Sequence, residues 1–161
     1  MRGNLQTRLR KLDEGQYAAI ILAAAGLKRL GLEGRIADLI DTDDSIPAVG
    51  QGALGIEINA TRTDLIAVLA PLNHAETAAC VEAERGMSRA LAGSCTVPLG
   101  AYAEKLGDEI HIKGFVASID GSELLRESLT GGTQDPEALG QELAQRLRER
   151  GADRLLAALA G

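Results

Sequence analysis

The residue best suited to covalent chemistry is Cys95, in the segment Gly93–Pro98 (GSCTVP). It follows the predicted end of a helix and precedes a predicted strand, so a ligand can approach its thiol. A cysteine reacts as the thiolate, which needs a polar or electropositive setting that apolar cores do not offer. From its position alone, Cys95 is either an anchor for a ligand or a spectator. Cys80, inside a predicted helix, is instead expected to be a small apolar residue of the helix face.

Three arginines are candidates for anion binding. Arg2 and Arg8 flank the first turns of a predicted helix, and Arg29 follows a predicted strand, at the end where α/β sheets present ligand sites. Guanidinium groups hold carboxylates through paired hydrogen bonds, so the pattern favours a polycarboxylate ligand. Judged on spacing alone, solvated arginines on a helix surface are an equal alternative. Residues 1–36 carry seven Lys or Arg against three acids, although the whole chain has a net charge of -6.

Gln51 lies in the glycine-rich segment Val49–Gly52, whose backbone N–H groups could hold a ligand. The segment lacks the spacing of a dinucleotide fingerprint and the Lys-Ser/Thr of a phosphate-binding loop, so a flexible domain crossing is an alternative. His74 and His111 are isolated, and the sequence therefore predicts neither a metal site nor a Ser-His-Asp arrangement.

Composition narrows the possible partners. The 161 residues are 45% hydrophobic and 25% charged, which suits one domain or two small ones. Only 2% are aromatic, so base-stacking platforms are lacking and no nucleic-acid partner is expected. Because no apolar run reaches the length of a membrane span and no signal pattern opens the chain, we expect no membrane partner, a cytoplasmic location and reduced cysteines.

The elements expected to position these residues are of the α/β kind at the start of the chain. Asn4 can cap a helix over Leu5–Glu14. The apolar run Ala18–Ala23 predicts a parallel strand covered on both faces, followed by a short helix through Leu30. A loop over Asp41–Gln51 then leads into an extended run, Ala53–Ile58, where the chain is expected to change domain.

The remainder predicts an α+β domain with a three-stranded antiparallel sheet and about three helices. A helix over Thr63–Leu69 comes first. The further predicted elements are a helix from His74 to about Ala92, strands over Val97–Leu106, Glu109–Ile119 and Glu123–Thr130, a helix started by Asp135–Pro136, and a final helix over Ala152–Ala160.

Four blocks together resemble the porphobilinogen deaminase (hydroxymethylbilane synthase) family in order and spacing. They are Arg2–Arg8, Ala23–Gly31, Pro47–Ala53 and Gly93–Pro98. The resemblance implies a three-domain parent whose first two domains are similar to periplasmic binding proteins. Residues 1–52 would be the second half of domain 2, residues 53–72 a segment of domain 1, and residues 73–161 the cofactor-anchoring domain 3. The family's catalytic aspartate would lie in the absent part, so no catalytic residue is expected in this chain.

The resemblance also implies a cofactor and a reaction. Cys95 would carry a dipyrromethane through a thioether, Arg2, Arg8 and Arg29 would hold acetate and propionate groups, and Gln51 would lie at the same cleft. The parent, expected to be a monomer, would polymerise four porphobilinogen molecules into hydroxymethylbilane with release of ammonia. The chain itself would be a fragment, inactive alone.

Two other functions stay open at this point. The first is a non-catalytic binding module whose arginines capture small organic polycarboxylates. The second is an assembly unit that associates through exposed apolar surface.

Overall fold

The computed structural model describes residues 2–91 and 97–158. The chain divides into two compact units, Met1–Asp41 and Thr42–Gly161. The helices and strands are α1 (Leu5–Asp13), α2 (Ala24–Arg29), α3 (Thr63–Leu69), α4 (Ala75–Ala90), β1 (Leu99–Leu106), β2 (Glu109–Ala117), β3 (Leu124–Gly132), α5 (Pro136–Glu149) and α6 (Ala152–Ala157), with short 3₁₀ turns at Glu33–Arg35 and Ala70–Leu72.

The first unit is a pair of short helices. Asn4 caps α1 as predicted, because its side-chain oxygen accepts a hydrogen bond from the Thr7 N–H at 2.9 Å. Helix α2 lies close to the start of α1, since a Cβ on Gly26 would be 3.3 Å from Leu5 Cδ1. Leu9 of α1 and Leu27 of α2 are buried.

The strand predicted over Ala18–Ala23 is wrong. Residues 18–23 form no helix or strand, and the Ile21 side chain is 78% exposed. A parallel strand needs neighbouring strands for its hydrogen bonds, and within residues 2–41 the structure describes no strand at all. The run Ala53–Ile58 likewise forms no strand, and Leu54 is 88% exposed. Among the described residues, a β-sheet therefore forms only in the α+β part of the expected fold.

The second unit contains the predicted antiparallel meander, in the order β1-β2-β3. Ile112 of β2 pairs with Ala103 on one side and Leu129 on the other, and these residues point to the same buried face. The two hairpin turns fall between the predicted strands and contain Gly107 and Gly121, which have φ of +64° and +71°.

Helices α4 and α5 cover the buried face of the sheet. Asp135 caps α5 as predicted by accepting from the Ala138 N–H at 3.0 Å. Two glycines let the helices approach closely, because a Cβ on Gly86 would collide with the Glu137 carbonyl and one on Gly140 with the Ala83 carbonyl. The fully buried large side chains are Met87, Leu91, Ile110, Ile112, Leu143, Leu147 and Val116.

The opposite face of the sheet is crossed by the segment that opens the second unit. Lys113 forms an ion pair with Asp43, and the Arg126 guanidinium donates to the Asp43 carbonyl at 3.0 Å. Further along, a Cβ on Gly100 would lie 2.5 Å from the Pro47 carbonyl oxygen, so only glycine admits the segment here. Residues 42–50 are thus fastened to the C-terminal domain.

Candidate functional site

The first unit carries the three arginines predicted to bind anions. Arg2 and Arg29 are exposed, and Arg8 is half-buried. The Arg8 side chain folds back over the start of its helix, where Nε donates to the Gly3 carbonyl at 2.9 Å. Because Gly26 of α2 lies against Leu5 of α1, the three residues belong to one helix pair.

These three arginines differ from the other arginines of the same unit. Arg10 pairs with Glu14 one turn away, and Arg35 pairs with Asp13. Within the part of the chain that the structure describes, none of Arg2, Arg8 and Arg29 forms an ion pair with a carboxylate. The unit therefore has guanidinium groups whose charges are not neutralised internally, which is the donor set that a polycarboxylate requires.

Gln51 lies on a tight turn of the second unit. Its N–H donates to the Ala48 carbonyl at 3.0 Å, and the flanking Gly50 and Gly52 have φ of +70° and +91°. Such backbone favours glycine, which explains both glycines of the segment. The Gln51 side chain is exposed, and the turn is tied to α4 through the Gly50 N–H.

A cavity of about 680 Å³ lies beside this turn. Its walls include Gly50 and Gly52 of the turn, and Leu54 shortly after it. Helix α4 and the residues before it supply the polar wall, which includes His74, Thr77, Arg85 and Arg89. His74 itself caps α4, since its ring accepts from the Thr77 N–H at 3.3 Å.

Cys95 lies outside the described residues, as do the ends predicted for α4 at Ala92 and for the last helix at Ala160. The residues on either side of 92–96 are held by the domain. Leu91 is buried, and the Arg148 guanidinium donates to the Ala90 carbonyl at the end of α4. On the other side, the Pro98 carbonyl accepts from the Ala117 N–H at 2.9 Å.

Cys80 has the environment of a structural cysteine. It is half-buried and packs against the hydrophobic core, as predicted. Burial raises the pKa of its thiol, and the nearby Glu84 carboxylate raises it further. Its thiolate is therefore disfavoured, as expected for a cysteine that packs against an apolar core.

Within residues 2–91 and 97–158, no group of three or more His, Cys, Asp or Glu is arranged to hold a metal ion. In the same ranges, no helix has the length and apolar character needed to cross a membrane.

Comparison with known protein families gives two adjoining matches. The sequence model described as "Porphobilinogen deaminase, dipyromethane cofactor binding domain" matches residues 1–67. The model described as "Porphobilinogen deaminase, C-terminal domain" matches residues 78–149. The helix pair and the α+β domain thus correspond to the cofactor-binding and C-terminal parts of one class of enzyme.

Individual relatives agree. The porphobilinogen deaminase of Methylobacillus flagellatus is 76% identical over 159 residues, which are 99% of this chain and 51% of the relative. Those of Laribacter hongkongensis and Nitrosomonas europaea are each 58% identical, over 99% of this chain and 52% of the relative. The chain belongs to the porphobilinogen deaminase family. It spans about half the length of the curated relatives it matches.

Glu84 is the residue of this region that the sequence analysis missed. It is buried in the second unit and holds the turn that carries Gln51. A signal was present, because Glu84 lies on the same helix face as Cys80, Met87 and Leu91, where an apolar residue is expected.

Proposed function

We propose that this chain is the C-terminal portion of a transferase that polymerises four porphobilinogen molecules into hydroxymethylbilane, with release of ammonia. The observation that carries the proposal is the pair of family matches, over residues 1–67 and 78–149, together with a relative that is 76% identical. The unpaired arginines of the first unit support it, because each pyrrole of such a substrate carries two carboxylates.

The residues present fit a dipyrromethane cofactor. Its acidic side chains need cationic donors, and Arg2, Arg8 and Arg29 are not neutralised by carboxylates in the described part of the chain. Paired hydrogen bonds from these guanidiniums would orient the carboxylates, and Gln51 would add an amide contact. Cys95 would hold the group covalently. When bound, the dipyrromethane supplies the free pyrrole end to which further pyrroles are added.

We further propose the domain assignment that the family implies. Residues 1–52 form the second half of a periplasmic-binding-protein-like domain 2, residues 53–72 belong to domain 1, and residues 73–161 form domain 3. In support, Ile21 and Leu54 are strongly exposed for apolar side chains, as expected if their packing partners lie in other parts of the parent. The fragment lacks the family's catalytic aspartate and is inactive alone.

The cofactor assignment is tested by intact-protein mass spectrometry of the parent protein. We expect a dipyrrole-sized adduct in the wild type and its loss in C95S. The matched control is C80S, which removes the other cysteine of the chain and should keep the adduct. An adduct that persists in C95S, or one that disappears in C80S, would refute the role of Cys95.

The arginine assignment is tested by steady-state kinetics of the same parent. R8A and R29A each remove a charge-assisted hydrogen bond to a carboxylate, and we expect kcat/KM to fall about tenfold or more. The control R10A removes an exposed arginine that lies on α1 with Arg8 and already pairs with Glu14. It should change kcat/KM less than about twofold. Equal effects at all three positions would contradict specific carboxylate binding.

The test also separates the alternative of a non-catalytic module for small organic polycarboxylates. A parent whose Cys95 is unmodified, and which binds carboxylates through Arg8 and Arg29 without consuming porphobilinogen, would favour that module. Consumption of porphobilinogen by the 161-residue chain alone would contradict the proposed inactivity of the fragment.

Our proposal also includes a cytoplasmic, monomeric parent with a small-molecule substrate. Size-exclusion chromatography of the parent checks that it is a monomer.

A further inference from the structure

Among the described residues, the buried charged side chain is that of Glu84. Only 5% of its surface is exposed, although it lies in the middle of α4. A carboxylate in such a position is costly unless its oxygens accept hydrogen bonds. Both oxygens of Glu84 do so, and neither partner is a side chain.

The two partners come from different parts of the second unit. Oε2 accepts from the Gly50 N–H at 2.7 Å, and Oε1 accepts from the Ala103 N–H at 2.9 Å. Ala103 belongs to β1, an edge strand of the sheet, so Glu84 satisfies a backbone donor that has no neighbouring strand. Gly50 belongs to the turn that carries Gln51. One carboxylate thus joins α4, the sheet edge at Ala103 and the turn at Gly50.

The energetics do not favour a purely stabilising role. Burial raises the pKa of Glu84 from its ordinary value of 4.5, and the bonds from Gly50 and Ala103 and the charge of Arg85 oppose this only in part. A group with a raised pKa contributes most to stability below its ordinary pKa, and that contribution is lost as the pH rises through the raised value. Ionising Glu84 therefore costs stability, and the two backbone hydrogen bonds offset that cost only in part.

We propose that Glu84 is a positioning residue that clamps the Ala48–Ala53 turn to the edge of the sheet and so fixes the backbone at Gln51. A neutral amide cannot replace it, because glutamine offers one oxygen acceptor and one NH₂ donor to two N–H groups. The consequence for cofactor binding rests on the proposed function, since it requires Gln51 to contact the cofactor. The clamp itself does not depend on that function.

Amide hydrogen exchange of the full 161-residue chain, followed by NMR, tests the clamp. In E84Q, at least one of the Gly50 and Ala103 amides should exchange about tenfold faster, because one N–H loses its acceptor; in E84A both should. The control E82Q neutralises an exposed glutamate of the same helix and should leave both rates unchanged. Unchanged Gly50 and Ala103 rates in folded E84Q would overturn the proposal.

A pH titration of the wild type keeps the test valid if the variants fail to fold. The Gly50 and Ala103 amide resonances should shift with one common midpoint above 4.5, because both report on the same carboxyl group. The charged or ionisable groups that act electrostatically on Glu84 or feel its charge are Arg85 and Cys80, and burial raises the pKa of the Cys80 thiol further from the acidic range. Different midpoints, or no titration at either amide, would refute a shared clamp.

A last comparison connects the clamp with the proposed enzyme. In the parent, E84Q should lower kcat/KM while the Cys95 adduct remains, and E82Q should change neither. Faster exchange without any kinetic effect would confine Glu84 to local structure and overturn its positioning role. Loss of the adduct in C95S tests the proposed function separately, so the two ideas can fail independently.

Discussion

The close approach of α4 and α5 predicts a large effect for a small substitution, Gly140→Ala. A Cβ at this position would fall on the Ala83 carbonyl oxygen and lie 2.7 Å from the Met87 backbone nitrogen. Both obstacles are backbone atoms of α4, which no side-chain rotation can move. The two helices would have to separate, and the packing of Met87 and Leu143, both fully buried, would loosen with them.

Two opposing terms set the size of the effect. Alanine is about 1 kcal/mol better than glycine inside a helix, which by itself would stabilise α5. Overpacking a tight core costs about 1–3 kcal/mol and sometimes more, and a clash with backbone belongs at the upper end of that range. We therefore expect G140A to lower the free energy of unfolding by about 2 kcal/mol.

Urea denaturation of the chain, followed by circular dichroism, measures this change. The control is G132A, because Gly132 is exposed, has no positive φ and has no atom within 4 Å of a new Cβ. That variant should stay within about 0.5 kcal/mol of the wild type. A G140A protein as stable as the wild type would show that the helices are not packed at this distance.

Three smaller effects follow from the same structure. L143A, which empties a fully buried position, should lose about 3 kcal/mol in the same urea assay. D135A removes the cap that accepts from the Ala138 N–H and should lose about 1 kcal/mol, whereas D135N should keep most of it. Hydrogen bonds led by that from the Ser118 hydroxyl lower the pKa of Asp120 from 3.8 to about 2. Its contribution to stability is therefore present above pH 3.8 and lost as the pH falls towards 2, and an NMR titration should show this midpoint rising in S118A.

Local chemistry explains why part of the fold could be predicted from the sequence. Asn4 and Asp135 cap their helices through hydrogen bonds to residues three positions later, so both partners lie in one short segment. The turns at Gly107 and Gly121 likewise need only a local positive φ. Helix and strand bounds of the C-terminal domain followed from such signals within a few residues.

The failed strand at Ala18–Ala23 shows where local signals end. An apolar run of this kind has the composition of a buried strand, but a strand forms only where neighbouring strands supply hydrogen bonds. Those neighbours are lacking among the described residues of the first unit. An apolar run of this composition would suit a larger domain with further strands. The chain spans about half the length of the relatives it matches.

The candidate site, like the fold, could be predicted from the sequence only in part, because some of its features depend on distant contacts. The sequence predicts Arg2, Arg8 and Arg29 as binding residues from their type and position. Only the folded unit shows that, among the described residues, no carboxylate pairs with them. Glu84 is the converse case. Its place on an apolar helix face is visible in the sequence, but its partners, Gly50 and Ala103, are visible only in the fold. A charged residue on an apolar helix face costs stability unless distant backbone donors meet it. Its presence in a sequence therefore predicts a polar contact with another segment, even when the partner cannot be named.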